Sequence, residues 1–476
     1  MDRLTALDAT FLELEELDEG ALMSIGGVMI FDPLPGGGAP TIEDVRAGLA
    51  GRLGELPRYT QRLSATRMGF WSWPHWVNDE RFEIANHVSH VALPAPGEDA
   101  QLCDWTAGFF SHRLDRTRPL WEMVLIEGLK GDRWAIANKV HHCLVDGVGS
   151  VDVVELLLDS DPNPPARRLP SLVDGAPSPG RSLLPPHSEA VIQAAQAGGR
   201  AVSAGIHAAL HPREAFDRSR ALAELIVRDE LIGAPHSSIN VPIGQGRRYE
   251  VVRVPLAELK AMRRELGGSV NDVILAVCTS ALRRLLTERD EELPAGGLRA
   301  MVPMNLRDAS AQMSLGNRVT SLFVELPVAE PDPRKRLRRI VFETKRLKYS
   351  GAGAGPTTLV DLATLAPPVV VRAALARTEF ARRLFNITIT NVPGPQQPRY
   401  AFGAQMQEVH PFVPLAADHG IGIAIFSYDG LVTLGISADC ESTPDLDVLA
   451  YGIEAGLEEL RALVPEFEKT PEEVRY

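Results

Sequence analysis

The sequence contains few cysteines and no long apolar run. Four cysteines are spread over the chain without a CxxC pair: Cys103, Cys143, Cys278 and Cys440. This pattern indicates a reducing compartment and argues against a disulfide framework or a thiolate zinc site. No stretch reaches the roughly 18 apolar residues of a membrane span, and the first residues lack the apolar core of a signal peptide. We expect a cytoplasmic protein, with peripheral membrane contact left open.

Positive charge is also in deficit, because 49 Lys and Arg face 62 Asp and Glu, for a formal net charge of −13. A polyanion would be repelled overall, which argues against a nucleic-acid partner. The exception is the run 334–348, where eight Lys or Arg accompany the single acid Glu343. This run is either a solvated helix face or a site for phosphate groups or anionic lipid headgroups.

The length of 476 residues predicts two domains, and the composition is that of a globular protein. Eight prolines between Asp161 and Pro186 indicate an exposed linker. We therefore predict an N-terminal domain over 1–165, a Pro-rich linker with connecting helices over 166–245, and a C-terminal domain over 246–476. Strand-like and helix-like segments alternate in both halves, which predicts an α/β (α+β) fold.

A histidine pair follows the strand-like run 134–140 and opens the pattern His-His-x-x-x-Asp-Gly, formed by His141, His142, Asp146 and Gly147. Side chains on a strand alternate between its faces, so a strand that continued through the pair would point only one histidine into a cavity. This suits one general base with a structural neighbour better than two metal ligands. The alternative is a strand end with a satisfied core histidine and a turn at Asp146-Gly147.

The pattern resembles the HHxxxDG motif of the CoA-dependent acyltransferase superfamily. Five further blocks, in the same order along the chain, resemble the bacterial wax ester synthase/diacylglycerol acyltransferase (WS/DGAT) family. They are LDATFL at 7–12, LDRTRPLWE at 114–122, VNDVILA at 270–276, GNRV at 316–319 and NVPGP at 391–395. One position departs from the family, because relatives often have His where Ser24 stands.

The resemblance implies two domains of the chloramphenicol-acetyltransferase type, each a mixed sheet with helices, with a tunnel at their interface. Acyl-CoA would be a substrate, with no cofactor and no metal. His142 would deprotonate the hydroxyl of diacylglycerol or of a long-chain fatty alcohol, and the product would be triacylglycerol or wax ester. The enzyme would be cytoplasmic, with possible peripheral attachment to the inner membrane or to lipid droplets. The alternatives are a polyketide or sugar hydroxyl as acceptor, or a catalytically idle relative that binds acyl-CoA or lipid.

The resemblance also implies supporting roles for other residues. Asp146 would form a structural ion pair with Arg307, with Arg318 as a second candidate partner. Asn271 and Asp272 either support a helix start or the domain interface, or contact substrate; Asn at a helix start is a good N-cap. The remaining segments are architectural: Pro119, Leu120 and Trp121 beside the tunnel, and the turn with Asn391, Pro393 and Gly394 as a crossover between domains whose backbone could line it.

Overall fold

The computed structural model describes residues 4, 6–54, 56–64, 73–144, 158–163, 233–305, 319–349 and 384–465. The helices in these ranges are α1 (Ala6–Leu17), α2 (Ile42–Leu53), α3 (Asp99–Phe110), α4 (Leu256–Leu266), α5 (Val270–Glu288), α6 (Pro333–Tyr349) and α7 (Leu446–Arg461). The strands are β1 (Ser24–Phe31), β2 (Gln61–Leu63), β3 (Trp76–Asn78), β4 (Val88–Ala92), β5 (Trp121–Leu129), β6 (Arg133–His141), β7 (Arg247–Pro255), β8 (Leu298–Asn305), β9 (Val319–Leu326), β10 (Ile387–Pro393), β11 (Tyr400–Ala401), β12 (Ala404–Phe412), β13 (Ile421–Tyr428) and β14 (Leu431–Asp439).

The first sheet has the strand order β11-β12-β1-β6-β5-β4, with β4 parallel to β5 and the other pairs antiparallel. Its central strand β6 is buried along almost its whole length. β1 approaches its neighbours so closely that two of its positions have no room for a side chain. A Cβ on Gly26 would lie 1.9 Å from the Asn138 carbonyl oxygen, and one on Gly27 would lie 2.5 Å from the His410 carbonyl oxygen. Gly26 thus lets β1 lie close against β6, and Gly27 lets it lie close against β12.

The second sheet has the order β7-β14-β13-β10-β8-β9. β10 runs parallel to both β13 and β8, and the remaining pairs are antiparallel. α5 and α7 lie against this sheet and share one apolar core with it. α7 buries Leu446, Leu449, Ile453, Leu457 and Leu460, the three- and four-residue spacing of an amphipathic helix. Each half of the molecule is thus a mixed sheet with helices, as the sequence predicts.

The two sheets are joined by a crossover. β10 ends in the second sheet at Pro393, and the chain then forms β11 and β12, which pair in the first sheet, before returning as β13. The predicted crossover is therefore confirmed, but the predicted turn at 391–395 is partly wrong, because Asn391 and Pro393 belong to β10. Only the following residues turn. Gly394 lies so close to the Phe426 ring that a Cβ would approach it to 2.4 Å.

The predicted domain segments stay a prediction, because the boundary at 165 and most of the linker lie outside the described residues, as do its connecting helices. One feature of the described residues does not follow the predicted division into segments. β11 and β12 lie within the predicted C-terminal segment, yet they form an edge of the first sheet. β12 pairs antiparallel with β1 from Met406 to Phe412, with an irregularity between Ile30 and Phe31, although the two strands are far apart in the chain.

Candidate active site

The end of β6 separates the two histidines of the motif. β6 ends at His141, and His142 begins a 3₁₀ turn, so the strand does not run through the pair as considered above. The main-chain N–H of His141 donates to the Leu120 carbonyl at 3.0 Å, and that of His142 donates to the Met23 carbonyl at 2.8 Å. The change from strand to turn, rather than strand alternation, therefore sends the two rings in different directions.

His141 is buried and is held by protein on both sides of its ring. Its Nδ1 accepts the main-chain N–H of Cys143 at 3.1 Å. A neutral His141 must then carry its proton on Nε2, and this atom lies 3.6 Å from Oε2 of Glu15. Burial lowers the pKa of His141, although the neighbouring Glu15 carboxylate opposes this shift. His141 is therefore a neutral structural neighbour of His142, as the sequence analysis expects for one member of the pair.

Glu15 on α1 is the central anchor of this region, and sequence reasoning gave it no role. Only 1% of the residue is exposed. Its Oε1 accepts the Met23 N–H at 3.2 Å, and its Oε2 accepts Arg116 at 2.6 Å. Burial would raise the pKa of Glu15, but the neighbouring His141 ring, together with the hydrogen bond and charge of Arg116, brings it down to about 2. The carboxylate thus connects α1 with Met23 just before β1, with the 114–122 block and with the neighbourhood of His141.

His142 is a partly exposed residue at the end of β6. The ring stacks on Phe11 of α1, with centroids 3.8 Å apart and an interplanar angle of 22°. Its Nδ1 is buried and has no hydrogen-bond partner from another described residue. Burial lowers the pKa of His142 to about 4, and only its own main chain favours the charged form. At neutral pH this imidazole is therefore uncharged and able to accept a proton.

Ser24 lies directly beside the histidine pair. In the register of β1 and β6, Ser24 is opposite His141. Its Oγ is buried and finds no hydrogen-bond partner among the described residues. The position where relatives often have His therefore lies at the same end of the sheet as the motif, and it places a small hydroxyl there.

The Pro119-Leu120-Trp121 segment is packed into the protein. Leu120 is completely buried, and its carbonyl accepts the main-chain N–H of His141. Trp121 donates its indole N–H to the Tyr59 carbonyl at 2.8 Å and stacks against His87. Pro119 accepts the Trp121 N–H through its carbonyl at 2.9 Å. These contacts are architectural and hold the strand next to β6.

Two predicted site residues from distant blocks meet at the start of α5. Asn391 donates from Nδ2 to Oδ1 of Asn271 at 3.0 Å. The suggested N-cap at Asn271 is wrong, because α5 begins one residue earlier and Ser269 is its N-cap. Asp272 completes this capping box and also accepts the Thr344 hydroxyl at 2.8 Å. Asp272 therefore supports the helix start, whereas Asn271 is free to hold Asn391.

Three predicted residues, Asp146, Gly147 and Arg307, lie outside the described residues, as does the second candidate arginine, Arg318. Within the described ranges, no three His, Cys, Asp or Glu side chains come together as a metal site would require. In the same ranges, every helix is too short or too polar to cross a bilayer.

Comparison with known proteins identifies the family. Residues 4–274 match the wax ester synthase/diacylglycerol acyltransferase catalytic domain, and residues 315–461 match the WS/DGAT C-terminal domain. The chain belongs to the WS/DGAT family. It is an acyltransferase, and the resemblance drawn from its motifs is confirmed.

Individual relatives align with nearly the whole length of this WS/DGAT chain. The probable diacylglycerol O-acyltransferase tgs1 of Mycobacterium tuberculosis is 33% identical over 473 residues, which are 97% of this chain and 96% of that protein. The wax ester synthase/diacylglycerol acyltransferase structure from Marinobacter aquaeolei VT8 is 27% identical, with a TM-score of 0.68 over 97% of this chain and 99% of the other.

A more distant structure shows the fold alone. The starter condensation domain of rhizomide synthetase RzmA is 13% identical, with a TM-score of 0.59 over 99% of this chain and 96% of that one. Together with the WS/DGAT structure, it confirms the predicted two-domain α+β architecture.

Proposed function

We propose that this WS/DGAT chain transfers a long-chain acyl group from acyl-CoA to the hydroxyl of diacylglycerol, of a long-chain fatty alcohol, or of both. The observation that carries the proposal is the ring of His142, which is uncharged, partly exposed and fixed at the end of β6. The names of the relatives support diacylglycerol and wax alcohols as acceptors. Acyl-CoA is then a substrate, and no cofactor or metal is needed.

The proposed reaction is a direct transfer. Because Nδ1 of His142 is buried, Nε2 is the nitrogen that would accept the acceptor's hydroxyl proton. The alcohol oxygen attacks the thioester carbonyl carbon, forming the C–O bond, and collapse of the tetrahedral intermediate breaks the C–S bond. The imidazolium then gives its proton to the CoA sulfur, so the products are an ester and free CoA. Such proton transfer contributes roughly 10²- to 10⁴-fold, and positioning supplies much of the rest.

Several supporting roles are part of the proposal. Asp146 and Arg307 would form a structural ion pair that shapes the loop after His142, with Gly147 allowing close approach of substrate. The hydrogen bond between Asn271 and Asn391 supports a role for both in holding the second domain's side of a tunnel. Acyl-CoA would enter this tunnel from one face and the acceptor from the other.

The acidity of His142 predicts an unusual pH profile. A group with a pKa of about 4 stays neutral throughout the mildly acidic range. We expect kcat/KM to stay nearly constant from about pH 7.5 to about 5.5, since the acid limb reports the pKa of the base in the free enzyme. The profile is measured only at pH values at which circular dichroism shows that the protein is folded. A limb centred near the ordinary histidine value of about 6.5 would contradict the buried, desolvated base.

Release of free CoA from palmitoyl-CoA separates the acceptor classes. The assay compares hexadecanol, diacylglycerol, a sugar alcohol and no acceptor with the purified protein. We expect release that depends on one of the two lipid acceptors and is negligible with the sugar alcohol or without acceptor. Release with the sugar alcohol alone would favour the alternative acceptor class. Tight binding of palmitoyl-CoA without release under any condition would favour the idle binder.

The acceptor and product of this reaction are insoluble in water. We therefore propose that the enzyme works at the surface of a membrane or of a lipid droplet, as a peripheral protein. The exposed cations of the 334–348 run support this part of the proposal, since anionic lipid surfaces attract clustered Lys and Arg.

A further inference from the structure

α6 carries the basic run, and its exposed face contrasts with the rest of the chain. The helix packs onto the second domain through the buried side chains of Leu337 and Ile340. The side chains that it exposes are almost all cationic: Arg334, Lys335, Arg338, Arg339, Lys345 and Lys348. Its one acidic residue, Glu343, is buried. A chain of net charge −13 thus concentrates positive charge on one helix face.

Ion pairs account for only some of these cations. Arg336 pairs with Glu459 at 2.9 Å, Arg339 with Glu330 at 3.1 Å, and Arg346 with Glu343 at 2.6 Å. Among the described residues, the remaining cations of the helix form no ion pair with a carboxylate, although Arg334 and Lys335 lie near Asp332. They are Arg334, Lys335, Arg338, Lys345 and Lys348. Most of the exposed charge on α6 is therefore available to an external anion.

An exposed phenylalanine lies in the middle of this charge. Phe342 is 70% exposed, more than any other large apolar side chain in the described ranges. Arg338 and Lys345 are four residues before it and three residues after it, so helical geometry places them beside its ring. Transfer of a water-exposed aromatic ring into an apolar or interfacial layer is favourable in free energy.

We propose that this α6 face, defined by Arg334, Lys335, Arg338, Phe342, Lys345 and Lys348, docks the enzyme on an anionic phospholipid bilayer. The proposal deepens the proposed function by naming the surface that meets the membrane. The free cations extend over about 21 Å of helix, which suits a plane of headgroups better than the compact phosphates of one CoA molecule. Because the chain is acidic overall, an anionic bilayer would attract this cationic face against the net charge of the protein, which favours an orientation with α6 toward the bilayer.

Sedimentation with vesicles tests the proposal without requiring turnover. We expect the protein to bind vesicles of phosphatidylcholine mixed with phosphatidylglycerol, and to bind pure phosphatidylcholine vesicles much more weakly. The double variant Arg338→Gln/Lys345→Gln should weaken binding about 30-fold, because each cation near an anionic surface contributes roughly fivefold. Phe342→Ala should weaken it about tenfold through lost apolar burial.

A matched control uses two exposed cations of α4, in the variant Lys260→Gln/Arg263→Gln, which should bind vesicles like the wild type. Equal weakening by the control pair would overturn the proposal, because binding would then depend on net charge alone.

Acyl transfer is also measured with a detergent-dispersed acceptor, where α6 variants should match the wild type. A raised KM for acyl-CoA in that assay, with unchanged vesicle binding, would assign the cations to CoA and overturn the proposal. If no variant or wild type shows turnover, the vesicle result still stands by itself.

Discussion

Replacing His142 with alanine is expected to lower the turnover rate of acyl transfer by about 10²- to 10⁴-fold, the range contributed by a positioned general base. The proposed reaction requires a group that takes the acceptor's proton, and within the described residues His142 is the uncharged ring presented at this end of β6. Since the buried Nδ1 of His142 makes no hydrogen bond to another described residue, the truncation breaks no such bond and should leave the fold of the domain in place. The measurement is the rate of CoA release at saturating palmitoyl-CoA and acceptor.

Two variants make this prediction specific. His142→Gln keeps the approximate size and polarity of the side chain but cannot act as a base, so it should be as inactive as the alanine variant. His90→Gln, on β4 of the same sheet, replaces a histidine that pairs with Glu127 at the surface and should leave the rate unchanged. A His142→Gln variant with nearly full activity would remove His142 from the proton transfer.

Replacing Glu15 with alanine is expected to lower both stability and activity. The carboxylate is buried, binds Arg116 and the Met23 N–H, and lies 3.6 Å from His141 Nε2, so its loss leaves the Met23 N–H without its partner and removes the charge that faces Arg116. We expect the free energy of unfolding to fall by about 3 kcal/mol, the lower end of the range for a broken buried pair, because Arg116 is part-exposed and keeps Glu16. The turnover rate per folded molecule should be about 10²-fold lower, since small displacements of catalytic groups slow the reaction strongly.

Urea unfolding and the pH dependence of stability measure this contribution. The folded pKa of Glu15 is depressed to about 2, so its stabilisation is present above the unfolded value of about 4.5 and is lost as pH falls through about 2. The gap between wild type and Glu15→Ala should therefore be constant above pH 4.5 and should narrow below it. Glu16→Ala, which removes the exposed partner of Arg116, is the matched control and should have a small effect. Equal losses in the two variants would show that Glu15 has no special role.

Much of the site could be predicted because its residues stand in short, ordered blocks. The histidine pair with its following Asp-Gly pattern, and the blocks around Trp121, Asn271 and Asn391, carry the resemblance by themselves. Local patterns also fixed several elements closely. α2 begins at Ile42 because Thr41 caps it in a capping box with Asp44, and an apolar face follows.

The anchor at Glu15 could not be predicted in the same way. It lies in a row of acidic residues, and nothing local distinguishes it from its exposed neighbour Glu16. Its importance comes from contacts with residues about 100 positions away, which only the packing of α1 against the end of β6 creates. The signal that was available is the four-residue spacing of Phe11 and Glu15, which places them on one face of α1, toward both histidines.

Two errors have definite physical reasons, one local and one long-range. Ser269 and Asn271 are both good N-cap residues, and the choice between them depends on Asp272, whose carboxylate binds the main chain and hydroxyl of Ser269. The prolines at 393 and 395 indicated a turn that began too early. β10 extends to Pro393 because it pairs in parallel with β13 as far as Ser427, a contact that the sequence does not reveal.

The most direct test of the central claim is the stoichiometry of ester and CoA. Purified enzyme is incubated with isotopically labelled palmitoyl-CoA and the better lipid acceptor, and labelled ester and free CoA are quantified by mass spectrometry. Direct transfer predicts one ester for each CoA released, with neither product formed when the acceptor is omitted, and with both formed about 10²- to 10⁴-fold more slowly when His142 is replaced by Gln. CoA release accompanied by free palmitate instead of ester would contradict the account, since the enzyme would then be a thioesterase.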